Sequence, residues 1–395
     1  MAEIEFSLLT NPESSDWLER ISHDFEASTG IKLHVQRLSW GTAWSELVKC
    51  SLYKHGPDVS EIGSTWVGDL VEMAALRPFS PSEVRSVGGQ EVFLPAAWEG
   101  CVLGEDNAIW AMPWLADTRF LYYRRDMLLK AGINPAHAFQ THTALQNTLE
   151  RLKTSGVAYP WVIPTQKTNM TLHNSSTWVW EAGGHFLSPD GKKAVFCSPE
   201  ALTGFQRYFE LGRYLNPAAY HLDDVQSDAL LWGGQSAVTI SGPWLLREPR
   251  TTAEVLANTG YTLPPGVPFV GGSNLVGWKH THKPREALAL AQFLTSQRVQ
   301  ETYLQSVGLL PTRLDVLAKP PFSDDPILGQ VGKGLQIGRS FRLMPLWGLV
   351  EDRLNTSLRL IWDEFLRQPD AELRPLIERE LGALAKRLDV TLSSR

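Results

Sequence analysis

Cysteine is nearly missing from this chain: Cys50, Cys101 and Cys197 are the three in 395 residues, with no CxxC and no Cys/His spacing. That excludes a disulfide scaffold and a cysteine-built zinc module. At most one disulfide could form, and three buried thiols are expected. Long apolar runs are missing too, since none reaches the about 18 residues a membrane-spanning helix needs. Neither sign of charge dominates. With 37 basic and 43 acidic residues the formal net charge is −6, which argues against a nucleic-acid backbone as partner. The signatures HExxH, GxSxG, GxGxxG and GxxxxGK[ST] do not occur, and Gly332-Lys333-Gly334 is not a phosphate loop. There is no internal repeat and no low-complexity segment. No secretory leader is visible before the run Ile4-Glu5-Phe6-Ser7-Leu8-Leu9, so the protein is either cytosolic or an exported one whose leader has been removed; a strand beginning at the third residue favours the second, a periplasmic or extracellular protein.

What is present in excess is tryptophan, 15 residues of it. An indole is costly to bury because its N–H needs a partner, so a share of the 15 is expected to line a wet cleft. At 395 residues, 43% hydrophobic and 20% charged, the chain suits a soluble protein of two lobes.

The first lobe opens as β-α-β-α-β. A strand over 3–9 leads through Thr10-Asn11-Pro12 to a helix that Ser14 or Ser15 can cap, with Trp17, Leu18, Ile21 and Phe25 on one face. Ile31, Leu33 and Val35 alternate with polar residues as a second strand, and a helix with Trp44, Leu47, Val48 and Leu52 stops at Gly56-Pro57. A third strand ends at Gly63-Ser64-Thr65-Trp66. This alternation predicts a parallel, doubly wound sheet, in which ligands bind beyond the carboxyl ends of the strands. That rule selects Asn11, Trp40, Ser64, Thr65 and Trp66 as candidate site residues, with helix capping as the competing role for Ser64 and Thr65.

The stretch IWAMPWLADTRFLYYRRDMLLKAG at 109–132 holds two apolar runs, the first broken at Pro113, joined by a half-polar link. A chain crossing between lobes looks like this, and Asp117 and Trp114 would sit at the crossing. Later come a helix over 174–182 carrying Trp178, Trp180 and Glu181, a hairpin over 185–196, and a strand leading to Ser241-Gly242-Pro243-Trp244. Val270-Gly271-Gly272-Ser273-Asn274-Leu275-Val276 reads as a Gly-rich turn entering a strand, and helices are expected over 284–295, 327–338, 349–365 and 371–388. Proline-rich breaks near 265 and 320, with the link near 114, would make both lobes discontinuous.

Taken together, GPDV at 56–59 with Gly63 and Trp66, the stretches at 112–132, 177–196, 237–244 and 271–277, and LLPTR at 309–313 resemble the extracellular solute-binding proteins of ABC importers. Within these the likeness is to the large sugar-binding family that includes maltose-binding protein, and it covers nearly the whole chain in the family's order. The resemblance implies a type II periplasmic-binding-protein fold: two α/β lobes, each a doubly wound sheet flanked by helices, with the ligand cleft between them. It implies lobes at 1–113 plus 268–318 and 117–263 plus 325–395, hinged near 114–117, 264–267 and 319–324. It also implies a carbohydrate ligand, delivery to a membrane-embedded ABC permease, a monomer, and no cofactor. Carried over residue by residue, Ser64, Thr65 and Trp66 fall at a ligand loop and Asp117 at the first hinge. Trp244 matches an aromatic platform, Gly272, Ser273 and Asn274 match a hydrogen-bonding loop, and Trp347 matches a late aromatic.

The chemistry points the same way, because a pyranose has apolar C–H faces and a polar rim, and so wants flat rings plus a few fixed hydrogen-bonding groups. Charge-assisted hydrogen bonds to hydroxyls make Asp117, Glu181 and Arg313 candidates. Arg119 and Arg313 have structural ion pairing as their competing role, and Glu181 a helix surface. A glycoside hydrolase would instead need two carboxyls about 5–9.5 Å apart, and Asp117 with Glu181 is the one pair to nominate. Binding rather than catalysis is therefore expected, of a neutral sugar or glycoside. A charged sugar or polyol derivative, a phosphate or sulfonate, is the alternative.

Overall fold

The computed structural model describes residues 2–9, 16–104, 106–248, 250–302 and 310–393. Asn11 with the rest of the loop expected at 10–13, the caps Ser14 and Ser15, and Leu309 lie outside the described residues. The chain forms two compact units, Met1–Thr118 with Val270–Gly348, and Arg119–Phe269 with Leu349–Arg395.

The first unit is built on a seven-stranded sheet in the order Leu310–Pro311, Met112–Asp117, Gly271–Trp278, Val59–Gly63, Glu3–Leu9, Lys32–Leu38, with Leu76–Arg77 also pairing on Gly271–Trp278. The strands Glu3–Leu9, Lys32–Leu38 and Val59–Gly63 run parallel, while Gly271–Trp278 is antiparallel to both Val59–Gly63 and Met112–Asp117. Strand residues alternate between two cores. Leu275 and Val59 join Phe6, Phe25 and Trp114 in one, whereas Val276 and Ile62 join Leu47, Val67 and Leu70 in the other. The helices Asp16–Thr29 and Pro284–Leu294 close the first core, with Phe25 and Phe293 edge to face at 5.3 Å. The helices Trp40–Tyr53 and Val67–Glu72 close the second.

Three expectations change here. Pro113 does not break the apolar run; it lies inside Met112–Asp117, opposite Asn274, where the pairing register shifts between Ser273 and Asn274. A residue without an N–H fits at such an irregularity. Trp114 is core, edge-on to Phe6 at 6.0 Å, and faces no cleft. The break near 319–324 is not a crossing, since 325–348 stay with the first unit. Leu343 packs in its second core, and a Cβ at Gly68 would stand 2.6 Å from the Met344 carbonyl oxygen, so 343–344 lie directly on helix Val67–Glu72. The third crossing falls inside the first turn of helix Trp347–Phe365.

The second unit is mainly helical around a smaller sheet, with Thr259–Thr262, Phe120–Arg124 and Val238–Ser241 antiparallel. Tyr159 and Val162 add parallel bridges to Ser236 and Thr239, and the hairpin expected over 185–196 reduces to one bridge, Leu187 with Ala194. Helix Asn169–Glu181 lies so close to helix Pro199–Glu210 that a Cβ on Gly204 would be 2.4 Å from the Val179 Cα. Trp178, Tyr208 and Trp362 fill this core. The three cysteines are free thiols, of which Cys101 is buried and Cys50 and Cys197 are half-buried. Among the described residues, no helix is long and apolar enough to cross a membrane.

Candidate functional site

In the first unit the sheet brings the candidates to one edge. Leu9 pairs with Leu38, Gly63 with Ser273, and Asp117 with Gly271, so the carboxyl ends of Glu3–Leu9, Lys32–Leu38, Val59–Gly63 and Met112–Asp117 share that edge. Trp40 follows the second strand, Ser64-Thr65-Trp66 the third, and Asp117 ends the fourth. The rings gather: Trp66 meets Trp40 at 5.7 Å and Trp44 at 5.6 Å, and Trp40 is 47% exposed. Trp40 and Trp44 are one helical turn apart, which is why they face the same way. Gly63 permits the arrangement, because a Cβ there would press on the Trp66 ring at 3.3 Å. Ser64 and Thr65 form a 3-10 turn and neither hydroxyl caps the helix that follows, so the capping role is not the one they fill.

Five other candidates in this unit are spent on structure. The strand expected after the Gly-rich turn is present but begins already at Gly271, so the two glycines belong to it. Gly272 has φ +131°, and a Cβ on it would fall 1.9 Å from the Leu115 carbonyl oxygen, so glycine is required for the close strand approach. The Ser273 hydroxyl donates to Glu61 Oε1 at 2.5 Å, and Asn274 Nδ2 donates to the Gly100 carbonyl at 3.3 Å; both side chains are buried. Arg313 forms an isolated antiparallel bridge with Phe93, with Nε and Nη2 donating to Asp315 and Nη1 donating to the Val87 and Thr295 carbonyls. Four of its five N–H groups are thereby placed, and its guanidinium lies over Phe93. Trp347 is buried and stacked on Phe341 at 4.7 Å.

Glu61, beside these, escaped the sequence. It is fully buried, with Oε2 accepting the Leu9 N–H at 2.8 Å, and burial raises its carboxyl to about 8 against the opposing bonds from Ser273 and Leu9.

The second unit holds a denser constellation around Trp244, which is 36% exposed. The Gly-Pro-Trp turn folds the indole back over its own backbone: a Cβ at Gly242 would overlap the ring at 1.9 Å. Trp244 Nε1 donates to Asp228 Oδ2 at 2.8 Å, and the Arg119 guanidinium stands 5.5 Å from the ring centroid and 5.1 Å from that of Phe269. Arg119 is 2% exposed and its Nη2 donates to His173 Nδ1 at 2.9 Å. An accepting Nδ1 puts the imidazole proton on Nε2, which donates to Glu351 Oε1 at 3.3 Å. His173 stacks on Phe269 at 4.6 Å. Burial raises the Asp228 carboxyl to about 7 and moves Asp224, one helical turn before it, in the same direction. Glu181, by contrast, is half-exposed and ion-paired with Arg207.

Sequence reasoning missed Trp44, Asp228, Asp224, His173, Phe269 and Glu351. The spacing of Trp40 with Trp44 and of Asp224 with Asp228 was the available signal. Among the described residues no group of three or more His, Cys, Asp or Glu is arranged to hold a metal ion.

A two-unit α/β frame that presents fixed, half-exposed indoles beside buried acids is the architecture of a two-lobed solute-binding protein. Comparison with known proteins agrees with this: the chain belongs to the bacterial extracellular solute-binding proteins, matching that family over residues 20–330. The maltotriose-binding protein of Pyrococcus abyssi is 20% identical over 357 residues, covering 84% of this chain and 71% of that one. An ABC transporter solute-binding protein of Thermotoga lettingae, solved with α-D-tagatose, superposes with a TM-score of 0.86 at 22% identity, covering 99% of this chain and 100% of the other. The sugar-binding protein MalE of Xanthomonas citri gives a TM-score of 0.83 at 20% identity, covering 100% and 98%. These identities carry the fold.

Proposed function

We propose that this protein is the substrate-binding component of an ABC importer, working outside the cytoplasmic membrane. It takes a neutral mono- or disaccharide or glycoside and passes it to a membrane permease. The observation that carries this is Trp244: a half-exposed indole held by a carboxylate in a member of a solute-binding family. Trp40 with Trp66, and Asp117 at the same sheet edge, supply the first unit's share of rings and acceptors. The maltotriose and tagatose ligands named for proteins of the same fold support the sugar class. Among the described residues, Asp228 at the Trp244 ring edge, Asp224 one helical turn before it and Glu351 on the far side of His173 are three acids facing Arg119, which already serves His173. Such a surplus favours hydroxyl donors over a phosphate or sulfonate.

A thermal-shift screen tests this with maltose, maltotriose, D-tagatose, polyols and sugar phosphates, because a ligand raises the melting temperature by mass action. Calorimetry on the hits is expected to give one site per chain at about micromolar affinity or tighter. Closure of the two units on the ligand belongs to the same proposal and is read by small-angle scattering. A flat response to every neutral sugar, or a response to anionic sugars alone, overturns the ligand class. Release of reducing sugar from oligosaccharides overturns binding without catalysis.

A further inference from the structure

We infer that Asp228 is the positioning residue for the Trp244 indole, and that its ionisation sets how firmly the ring is held for the ligand. This rests on Trp244 being a ligand platform, as proposed above. The geometry is specific. Asp228 sits on helix Asp224–Trp232, almost wholly buried, and its Oδ2 takes the single N–H the indole owns. Gly242 lets the ring fold over the backbone but supplies no directional bond, and the Arg119 guanidinium at 5.5 Å attracts the ring face without fixing its rotation. Among the described residues, the carboxylate is the group that constrains the edge.

An ionised carboxylate makes this a charge-assisted bond, roughly twice as strong as the bond to a neutral acid. Asp228 is surrounded so that both forms are within reach near neutrality. Burial favours the neutral acid, with the negative charge of Asp224 adding to that; the bonds from Trp244 and Ser241 and the charge of Arg119 favour the ion. Arg119 is in turn tied through His173 on helix Asn169–Glu181 to Glu351 on helix Trp347–Phe365, so these groups complete the charges facing the site. Raising the pH therefore tightens the grip on the indole, and lowering it through about 7 loosens it. Among the described residues Asp228 is the hydrogen-bond partner of the ring edge, so ligand affinity follows the same direction.

The experiment reads the indole directly. In the full-length, nitrogen-15-labelled protein, the Trp244 indole N–H resonance is assigned by its loss in Trp244→Phe. It is expected to titrate with a midpoint near 7, and to stay flat in Asp228→Asn, whose amide oxygen still accepts the N–H and preserves the packing. In Asp224→Asn it should still titrate, with a lower midpoint, since a like charge is gone. Maltotriose is the first binding probe, and its Kd is expected to weaken about threefold or more from pH 8 to pH 6 in the parent and stay level in Asp228→Asn. An unchanged titration of the Trp244 signal in Asp228→Asn, or none in the parent, overturns the inference, as does an equal pH dependence of Kd in both. If maltotriose and every other sugar fail to bind while the indole titrates as expected, the sugar-binding proposal fails and the positioning of Trp244 by Asp228 stands.

Discussion

Trp244 and Asp228 are joined at the edge of the indole, Nε1 to Oδ2 at 2.8 Å, which leaves the ring's orientation set before any ligand arrives. A platform fixed in advance does not have to lose rotamer freedom on binding, and that freedom costs about 0.5–1.5 kcal/mol for a mobile side chain. Arg313 has the same kind of chemistry on paper, yet its donors point into its own unit.

Removing the platform should therefore cost more than its contact area suggests. Trp244→Ala is expected to weaken sugar binding by about 2–4 kcal/mol, and Trp244→Phe by less, because the ring face survives while the anchored edge is lost. Calorimetry on both variants checks this. Equal affinity of parent and Trp244→Ala would remove Trp244 from the site.

In the first unit, Trp66 lies in contact with both Trp40 and Trp44. Trp66→Ala deletes the ring that the other two lean on, so its loss of affinity should exceed that of Trp40→Ala by about 1 kcal/mol, for the one further aromatic pair it removes. Titrating both variants with the same sugar decides. A larger effect at Trp40 would mean the exposed ring acts alone.

The sheet edge was readable from residue order, since a β-α-β-α-β start with the strand-end rule picks Trp40, Ser64, Thr65 and Trp66 without coordinates. What hid the rest was local resemblance between unlike things. Gly271-Gly272 looks like a turn, but the second glycine serves a strand that approaches Leu115 too closely for any Cβ. Lys319-Pro320-Pro321 looks like a linker, while the real third crossing lies inside a regular helix at 348–349, with no break in composition to mark it. Asp224 and Asp228 look like a solvated helix face. Only the bond from Trp244 reveals that Asp228 is inside, with Asp224 half-buried one turn before it.

Arg313 yields a prediction of the opposite kind. Its fork is shared between Asp315 and two backbone carbonyls, and its plane covers Phe93. Arg313→Ala should lower stability by about 1–3 kcal/mol, the modest figure reflecting the partial exposure of Asp315, and should leave sugar affinity unchanged. Arg313→Lys should recover little, because an ammonium cannot reproduce the fork. Thermal melts beside binding isotherms separate the two effects. A variant that folds as stably as the parent but binds poorly would return Arg313 to the ligand site.

Glu61 gives the protein a pH dependence with a definite sign. Its carboxyl is raised in the folded state to about 8, mainly by burial, with the Ser273 and Leu9 bonds opposing. An unfolded glutamate titrates at about 4.3. Between those values the folded chain binds one proton more than the unfolded chain, so stability declines as pH rises. The contribution is fully present below the unfolded value and is lost as pH passes through about 8. Asp228, raised to about 7, acts in the same direction over a lower window. Glu61→Gln keeps an acceptor for the Leu9 N–H and a donor for the Ser273 hydroxyl while removing the titration. Its melting temperature is expected to fall less than the parent's between about pH 6 and about pH 9, and to exceed the parent's at the upper end. Parallel melting curves for the two proteins would sink the assignment, and they would mean that Glu61 stays ionised in the sheet between Leu9 and Ser273.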